Sequence, residues 1–181
     1  MKEEIIIAGF GGQGIMLIGK LLAHAGMKEG YQVSWMPSYG PEMRGGTANC
    51  MVKISTERIA SPFSSRADSM IIMNLPSLEK YESYLKTDGS IYINSSLIKR
   101  GLEREDIKNI VEVPANTLAI ELGEARAANM IMLGAYIADH DFISLDTIKE
   151  SLKEVLPVRR HNFISVNKEA LDLGAAILQK V

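Results

Sequence analysis

The hydrophobic and polar positions of the chain alternate between short apolar runs and longer helical patterns. Residues 4–8 form a continuous run of β-branched and small residues that stops at Gly9, which is typical of a strand buried on both faces. Residues 13–29 follow with apolar positions on nearly every side and end at Gly30, which predicts a helix packed against a sheet. The chain therefore begins with a predicted strand–turn–helix unit.

Later segments extend this pattern into an alternation of strands and helices. A helix over about residues 77–85 separates two strongly apolar strands, and helical patterns dominate after Pro114. This order predicts an α/β fold with a mostly parallel sheet flanked by helices and a helical C-terminal part. No linker or repeat divides residues 1–181, which are expected to form a single domain. The predicted strands cover 32–36, 47–55 (with 58–60 as a candidate partner), 69–73, 90–93 and 110–113, and the later helices 118–122, 126–138, 145–155 and 163–179.

A glycine-rich turn joins the first predicted strand to the first predicted helix. Residues 9–14 match the pattern G-x-G-x-x-G, which allows a tight turn whose backbone N–H groups attract a phosphate or carboxylate at the helix N-terminus. A dinucleotide site also expects an acidic residue after the second strand, where this chain has Ser34-Trp35-Met36-Pro37. Two explanations of the glycines are equally favoured: binding of an anion or cofactor phosphate, and tight packing of the helix against the strand. Binding of NAD is far less favoured than either. The candidate binding residues are Gly9, Gly11, Gly12, Gln13 and Gly14.

Residues 38–46 combine a hydroxyl, a phenol, a carboxylate and a guanidinium between Gly-Pro and Gly-Gly. Loops at the carboxyl ends of strands often carry binding groups. Arg44 is suited to a carboxylate or phosphate, and Glu42 to a hydrogen-bond donor. A ligand-binding role for residues 38–46 is favoured over the alternative, in which the segment only connects two strands and Glu42 contacts Arg44. The candidate residues of this loop are Tyr39, Glu42, Arg44, Gly45 and Gly46.

Two asparagines, Asn74 and Asn94, each end an apolar strand. In a parallel sheet both lie at the same edge as the glycine turn, so they are candidates for lining a crevice shared with that turn and with residues 38–46. Capping is the simpler explanation for each residue alone, because asparagine begins turns and helices well.

The composition of the chain argues against several classes of protein, among them nucleic-acid-binding, iron–sulfur and membrane-spanning proteins. The 20 basic and 22 acidic residues give a formal net charge of −2, so no electrostatic argument supports nucleic-acid binding. One cysteine, Cys50, excludes an internal disulfide and a resident iron–sulfur cluster, and its place in a predicted strand indicates a buried residue. The acidic start is unlike a signal peptide, and the apolar runs are too short to span a membrane. A cytoplasmic protein is expected.

Three polar or helical segments have plain structural explanations. Asp139-His140-Asp141 is expected to be a solvated helix end, because adjacent residues point in different directions and suit a metal poorly. Arg159-Arg160-His161 is expected to pair with Glu150 or Glu154, with an anionic ligand or partner as the alternative. Residues 126–138 mix small residues with methionines, which predicts a close-packed core helix, with contact to another subunit as the alternative.

The motifs together resemble the gamma subunit of 2-oxoacid:ferredoxin oxidoreductases. The resemblance rests on the glycine turn, residues 38–46, Asn129-Met130 with Leu133-Gly134, and the closing Asn167-Lys168-Glu169-Ala170 with Gly174. It covers nearly the whole chain and looks closest to the separate gamma subunits of the 2-oxoglutarate and branched-chain 2-oxoacid enzymes. It implies a Rossmann-like domain that works only with alpha and beta subunits, with a ferredoxin-like delta subunit as a further candidate partner.

The resemblance also implies an activity for the assembled complex. A 2-oxoacid, coenzyme A and oxidised ferredoxin would give acyl-CoA, CO₂ and reduced ferredoxin. Thiamine diphosphate and iron–sulfur clusters would lie on partner subunits, and this chain would hold no cofactor alone and no catalytic residue. Its expected part is to close over the active site or to help place coenzyme A. The alternatives are the small subunit of an indolepyruvate:ferredoxin oxidoreductase and a stand-alone nucleotide- or CoA-binding module.

Overall fold

A computed structural model describes residues 1–39, 47–63, 65–107 and 109–178 of the chain. Short 3-10 helices at Glu82–Tyr84, Ala125–Ala127 and Val158–Phe163 supplement the regular elements. The strands of the described residues are β1 (Lys2–Phe10), β2 (Gln32–Tyr39), β3 (Thr47–Ser55), β4 (Ala67–Ile72), β5 (Leu85–Asn94) and β6 (Asn109–Val113), and the helices are α1 (Ile15–Lys28), α2 (Leu75–Tyr81), α3 (Ala115–Glu121), α4 (Ala128–Ala138), α5 (Leu145–Val155) and α6 (Ile164–Leu178).

The strands form one mixed sheet in the order β2-β3-β1-β4-β5-β6. β1, β4, β5 and β6 are parallel neighbours, whereas β3 runs antiparallel to both β1 and β2. Five strands thus share one direction, and the predicted mostly parallel α/β sheet with a helical C-terminal part is confirmed. The predicted pairing of β3 with residues 58–60 is wrong, because β1 and β2 already occupy both edges of β3 and residues 58–60 form no strand.

The alternating side chains of β1 enter two hydrophobic cores. Ile5 and Ile7 face the larger core, beneath α1 and the C-terminal helices, and Ile6 and Ala8 face the smaller core beneath α2. All four are buried, as the continuous apolar run at 4–8 predicts. The central strand therefore holds the two layers of helices together, and its carboxyl end carries the glycine turn.

Helices α4 and α6 pack unusually closely. Cβ atoms added to Gly134 and Gly174 would lie 2.1 Å from the carbonyl oxygen of Leu171 and 2.0 Å from that of Ile131, so the two backbones meet where side chains are absent. Every residue of α4 from Ala128 to Ile137 is buried. The predicted core helix is confirmed, and its methionines are too deeply buried to contact another subunit. Within the described ranges, no helix has the length and apolar character needed to cross a membrane.

Candidate functional site

The glycine turn at the end of β1 has a backbone that favours glycine. Gly12 and Gly14 have φ angles of +98° and +76°, a region that other residues rarely adopt. Gly14 is the N-cap of α1, and no side chain caps the helix there. The first N–H groups of α1 are therefore offered to the space beside the turn, where a helix N-terminus favours negative charge.

The individual glycines of the turn serve different purposes. A Cβ on Gly9 would lie 2.7 Å from Cδ1 of Ile15 and 2.9 Å from Cβ of Met73, and one on Gly14 would lie 2.2 Å from Nδ2 of Asn129. A Cβ on Gly12 would meet nothing within 4 Å. Tight packing thus explains Gly9 and Gly14, whereas Gly12 lies beside open space. Gly11 is exposed beside it.

The side chain of Gln13 ties the glycine turn to the end of β4. Its Oε1 accepts hydrogen bonds from the backbone N–H of Phe10 at 2.7 Å and from Nδ2 of Asn74 at 2.9 Å. Its Nε2 lies 3.5 Å from the carbonyl oxygen of Met73. The amide of Gln13 is therefore used inside the protein, and it fixes the turn that displays Gly12.

Asn74 and Asn94 lie at the same edge of the sheet as the glycine turn, as predicted. Asn74 caps α2 by accepting from the N–H of Ser77 at 3.0 Å. Asn94 donates to Oδ1 of Asn116 at 2.7 Å and to the carbonyl oxygen of Met73 at 3.3 Å. Both side chains are buried and hold protein groups together, so the contact of either residue with a ligand stays a prediction.

Four candidates of the 38–46 loop, Glu42, Arg44, Gly45 and Gly46, lie outside the described residues. The flanking strands end beside the glycine turn, because Thr47 at the start of β3 pairs with Phe10 and Tyr39 at the end of β2 pairs with Ala48. The chain thus leaves and re-enters the sheet at the edge where the turn lies. The binding roles of this loop and its internal Glu42–Arg44 contact stay predictions.

A cavity of about 210 Å³ lies between the glycine turn and the segment that precedes α6. Leu17, Leu156 and Phe163 supply apolar walls. Its polar side chains are Asn129 at the start of α4, Arg160 in the last 3-10 helix and Asn167 in α6, together with Glu124 and Arg126 from the segment before α4. None of these polar side chains was predicted as a site residue, although an anionic ligand was the alternative explanation for Arg160.

The environment of Arg160 differs from the expectation. The predicted pairing with Glu150 or Glu154 is wrong, because both carboxylates bond to Nζ of Lys28 at 3.3 and 3.2 Å. Across the described ranges, the Arg160 guanidinium forms no ion pair with an acidic side chain. Arg160 is exposed and lines the cavity, so it supplies positive charge beside the glycine turn.

A second arginine at the cavity is already paired. Arg126 donates from Nε to Glu124 Oε1 and from Nη2 to Glu124 Oε2, both at 2.9 Å, and its guanidinium lies 4.6 Å from the centre of the Phe163 ring. The hydrogen bond from Arg126 holds the pKa of Glu124 below its ordinary value. Glu124 thus offsets the charge of Arg126 at the cavity wall.

The amino edge of the sheet carries a separate polar cluster. Oε1 of Glu3 accepts from Ser69 and lies 3.7 Å from Nε2 of His140 and 3.5 Å from the hydroxyl of Tyr136. Burial raises the pKa of Glu3. Asp139 accepts from the hydroxyl of Tyr92. Asp139 and Asp141 are exposed, as expected of a solvated helix end, and His140 between them is half-buried against Glu3 of β1 and Ser69 of β4. Within the described ranges, no cluster of three metal-ligating residues occurs.

Comparison with known proteins gives consistent matches. A family model described as pyruvate ferredoxin/flavodoxin oxidoreductase matches residues 4–177. The chain is 38% identical over 177 residues to ketoisovalerate oxidoreductase subunit VorA of Methanothermobacter marburgensis, an alignment that covers 96% of this chain and 36% of VorA. It is 34% identical over 167 residues to 2-oxoglutarate synthase subunit KorC of the same organism, with 87% of this chain and 88% of KorC covered. The chain thus spans about a third of VorA and most of KorC.

Two solved structures share the fold over nearly the whole chain. The keto/oxoacid ferredoxin oxidoreductase gamma subunit from Geobacter sulfurreducens matches with a TM-score of 0.83 and 26% identity, covering 99% of each chain. The 2-oxoglutarate:ferredoxin oxidoreductase from Magnetococcus marinus, with 2-oxoglutarate, coenzyme A and succinyl-CoA bound, matches with a TM-score of 0.84 and 25% identity, covering 99% of this chain and 31% of that chain.

Proposed function

This chain belongs to the pyruvate ferredoxin/flavodoxin oxidoreductase family, and from that membership we propose that it is the gamma subunit of a 2-oxoacid:ferredoxin oxidoreductase complex. The complex oxidatively decarboxylates a 2-oxoacid with coenzyme A and passes the electrons to ferredoxin. Alpha and beta subunits, and in some assemblies a ferredoxin-like delta subunit, supply thiamine diphosphate and the iron–sulfur clusters.

One observation carries this proposal: the match to a solved gamma subunit extends over 99% of both chains. A match of that extent supports the role of a gamma subunit for this chain. The relatives VorA and KorC point to branched-chain 2-oxoacids or 2-oxoglutarate as the substrate class.

The cavity beside the glycine turn suits a role in placing coenzyme A. Coenzyme A carries anionic phosphates and an apolar arm, and the cavity offers the exposed guanidinium of Arg160, the start of α1, which no side chain caps, and the apolar walls of Leu156 and Phe163. The solved relative from Magnetococcus marinus holds coenzyme A. When bound, coenzyme A accepts the acyl group, and the residues of this chain hold and orient it.

Purification from the native host tests the subunit assignment. We expect tagged chain to bring down a thiamine-binding chain, and the purified assembly to reduce methyl viologen with a 2-oxoacid and coenzyme A. The chain alone should show no turnover. A solitary monomer in the host, or turnover by the lone chain, contradicts the proposal.

A panel of 2-oxoacids given to the same assembly identifies the substrate. Fastest reduction with a branched-chain 2-oxoacid or with 2-oxoglutarate agrees with the relatives, whereas preference for indolepyruvate assigns the chain to that enzyme instead. Tight binding of NAD or coenzyme A to a chain that has no partner in the host would favour the stand-alone module.

A further inference from the structure

A separate surface lies at the opposite edge of the sheet from the glycine turn. β3 ends there beside the start of β1, since Ser55 pairs with Lys2, and residues 57–63 follow. We propose that these residues, called the 57–63 segment, bind an acidic and partly apolar segment of another subunit, with Phe63 as the anchor. The proposal rests on the proposed function, because it takes the partner to be a chain of the same complex.

The ring of Phe63 is held at the surface by the hydrogen bonds of its own backbone. The N–H of Phe63 donates to Oγ of Ser61 at 3.2 Å, and its carbonyl oxygen accepts from Nζ of Lys53 at 2.6 Å. Both backbone groups are therefore bonded, while the residue remains 68% exposed. An aromatic side chain on a backbone that is already fixed loses little conformational freedom on binding, and large buried side chains of this kind are common anchors of protein interfaces.

Lys53 is a buried charge whose contacts explain its place in β3. Its side chain is 7% exposed, and its Nζ lies 3.4 Å from Oε2 of Glu4 as well as donating to Phe63. A buried ion pair is often no more stabilising than apolar side chains of similar volume. An apolar residue at position 53 would form no hydrogen bond with the carbonyl oxygen of Phe63, so the lysine serves to hold the 57–63 segment in place.

The surface beside Phe63 has an excess of positive charge. A cavity of about 440 Å³ lies between the 57–63 segment and the adjoining ends of β1 and β3, and its charged lining consists of Lys2, Lys53, Arg58 and Glu57. The two lysines share one carboxylate, that of Glu4. Arg58 is exposed, and it forms no ion pair with any residue that the structure describes. The cavity therefore attracts acidic groups.

Charge and hydrophobicity together define the chemistry of the partner. Pro62 is exposed and Ile59 is half-buried, so apolar surface accompanies Phe63 along the segment. Carboxylates next to an apolar side chain are complementary to this combination. A second copy of this chain fits poorly, because a two-fold dimer would bring the same positive patch of each copy together.

The relatives agree with another subunit as the partner. In VorA and in the Magnetococcus marinus enzyme, the region that matches this chain is about a third of a longer chain. The same fold is therefore joined to further protein in those relatives.

Site-specific photocross-linking in the purified complex tests the contact. Phe63→benzoylphenylalanine places a photoreactive ring at the proposed anchor, and Ile120→benzoylphenylalanine in α3 is the control, because Ile120 is 67% exposed. After irradiation, mass spectrometry identifies the attached peptide. We expect position 63 to capture a segment of another subunit that contains aspartate or glutamate beside an apolar residue, and position 120 not to capture that segment.

Dilution of the complex, followed by mass photometry, measures the strength of the contact. Phe63→Ser should raise the concentration at which half of this chain has dissociated by about tenfold or more, and Ile120→Ser should leave it within about twofold. Arg58→Glu should raise it several-fold at low salt and less at high salt, because the contact is between charges. Lys168→Glu, an equal charge reversal at an exposed position of α6, should leave it within about twofold.

Cross-linking of position 63 to an acidic segment of another subunit, together with losses confined to the Phe63 and Arg58 variants, supports the proposal. A complex that assembles while position 63 captures nothing, a second copy of this chain or a segment without acidic residues overturns it, as do equal effects of the variants and their controls. All four substituted residues are exposed, so urea unfolding should match wild type and separates lost binding from lost folding. Failure to obtain any complex contradicts the subunit assignment as well, which distinguishes the two failures.

Discussion

Adding one methyl group at Gly134 tests the close packing of α4 against α6. A Cβ at this position would lie 2.1 Å from the carbonyl oxygen of Leu171 and 2.9 Å from its carbonyl carbon. Both are backbone atoms, so rotation of a side chain cannot relieve the collision. In Gly134→Ala the two helices therefore have to move apart.

The size of the effect follows from two opposing contributions. Non-bonded atoms pack at roughly 3.5 Å, so the 2.1 Å contact has to open by about 1.4 Å, and a gap of about 1 Å already forfeits about half of each contact's attraction. Overpacking that shifts the backbone costs about 1–3 kcal/mol and occasionally more. Alanine's better helix propensity returns at most about 1 kcal/mol. We expect the free energy of unfolding of Gly134→Ala to fall by about 2 kcal/mol.

Urea unfolding followed by circular dichroism measures this loss. The midpoint should fall while the slope with denaturant stays the same, because the surface exposed on unfolding is unchanged. Gly101→Ala is the matched control, since a Cβ there would meet nothing within 4 Å, and its stability should stay within about 0.5 kcal/mol of wild type. If Gly134→Ala is as stable as Gly101→Ala, the argument from helix contact is refuted. Gly174→Ala, whose Cβ would lie 2.0 Å from the carbonyl oxygen of Ile131, should repeat the loss.

Three further predictions concern single side chains. Because burial raises the pKa of the Glu3 carboxyl above its ordinary 4.5, the folded state holds this proton more tightly than the unfolded state, and the stability that the proton contributes is lost as pH rises through the raised pKa. The urea midpoint of Glu3→Gln should therefore rise relative to that of wild type from about pH 4.5 towards neutrality. A difference between the two midpoints that stays constant with pH would contradict this. Burial raises the pKa of the Cys50 thiol to about 12, so iodoacetamide should label it only in urea, and rapid labelling of the native chain would argue against the packing. Asn74→Ala removes the cap of α2 and should cost about 1 kcal/mol, with exposed Asn162→Ala as the neutral control in the same urea assay.

Local patterns predicted most of the fold because each is a property of neighbouring residues. The apolar run at 4–8 became a strand buried on both faces, and the predicted helix 145–155 is found with those bounds, since Ser144 caps it. The strand predicted at 90–93 begins earlier, at Leu85. Its first half was not predicted because Lys86-Thr87-Asp88 is polar and lacks the apolar pattern of a buried strand. Local chemistry alone does not mark where such a strand starts.

The candidate site could be predicted only in part. The glycine turn is a local pattern, and its position at the carboxyl end of β1 followed from the sequence. The cavity depends on Asn129 and Arg160, which lie far from the turn in sequence and meet it only because α4 and the segment before α6 fold back over α1. Lys28, at the end of α1, takes the carboxylates that Arg160 was expected to bind. Which cation pairs with a given carboxylate depends on tertiary packing, which the sequence pattern does not show.

The position of β1 in the middle of the sheet has a consequence for synthesis of the protein. β1 comes first in the chain, yet its neighbours are β3 and β4, with Ile5 pairing with both Val52 and Ser69. A nascent chain therefore carries a strand that is buried on both faces in the folded protein, with both of its edges open until those later strands have left the ribosome. Pairings between distant segments form slowly, and open apolar strands attract other chains in the meantime. We expect a chaperone that shields exposed strands to raise the yield of folded chain.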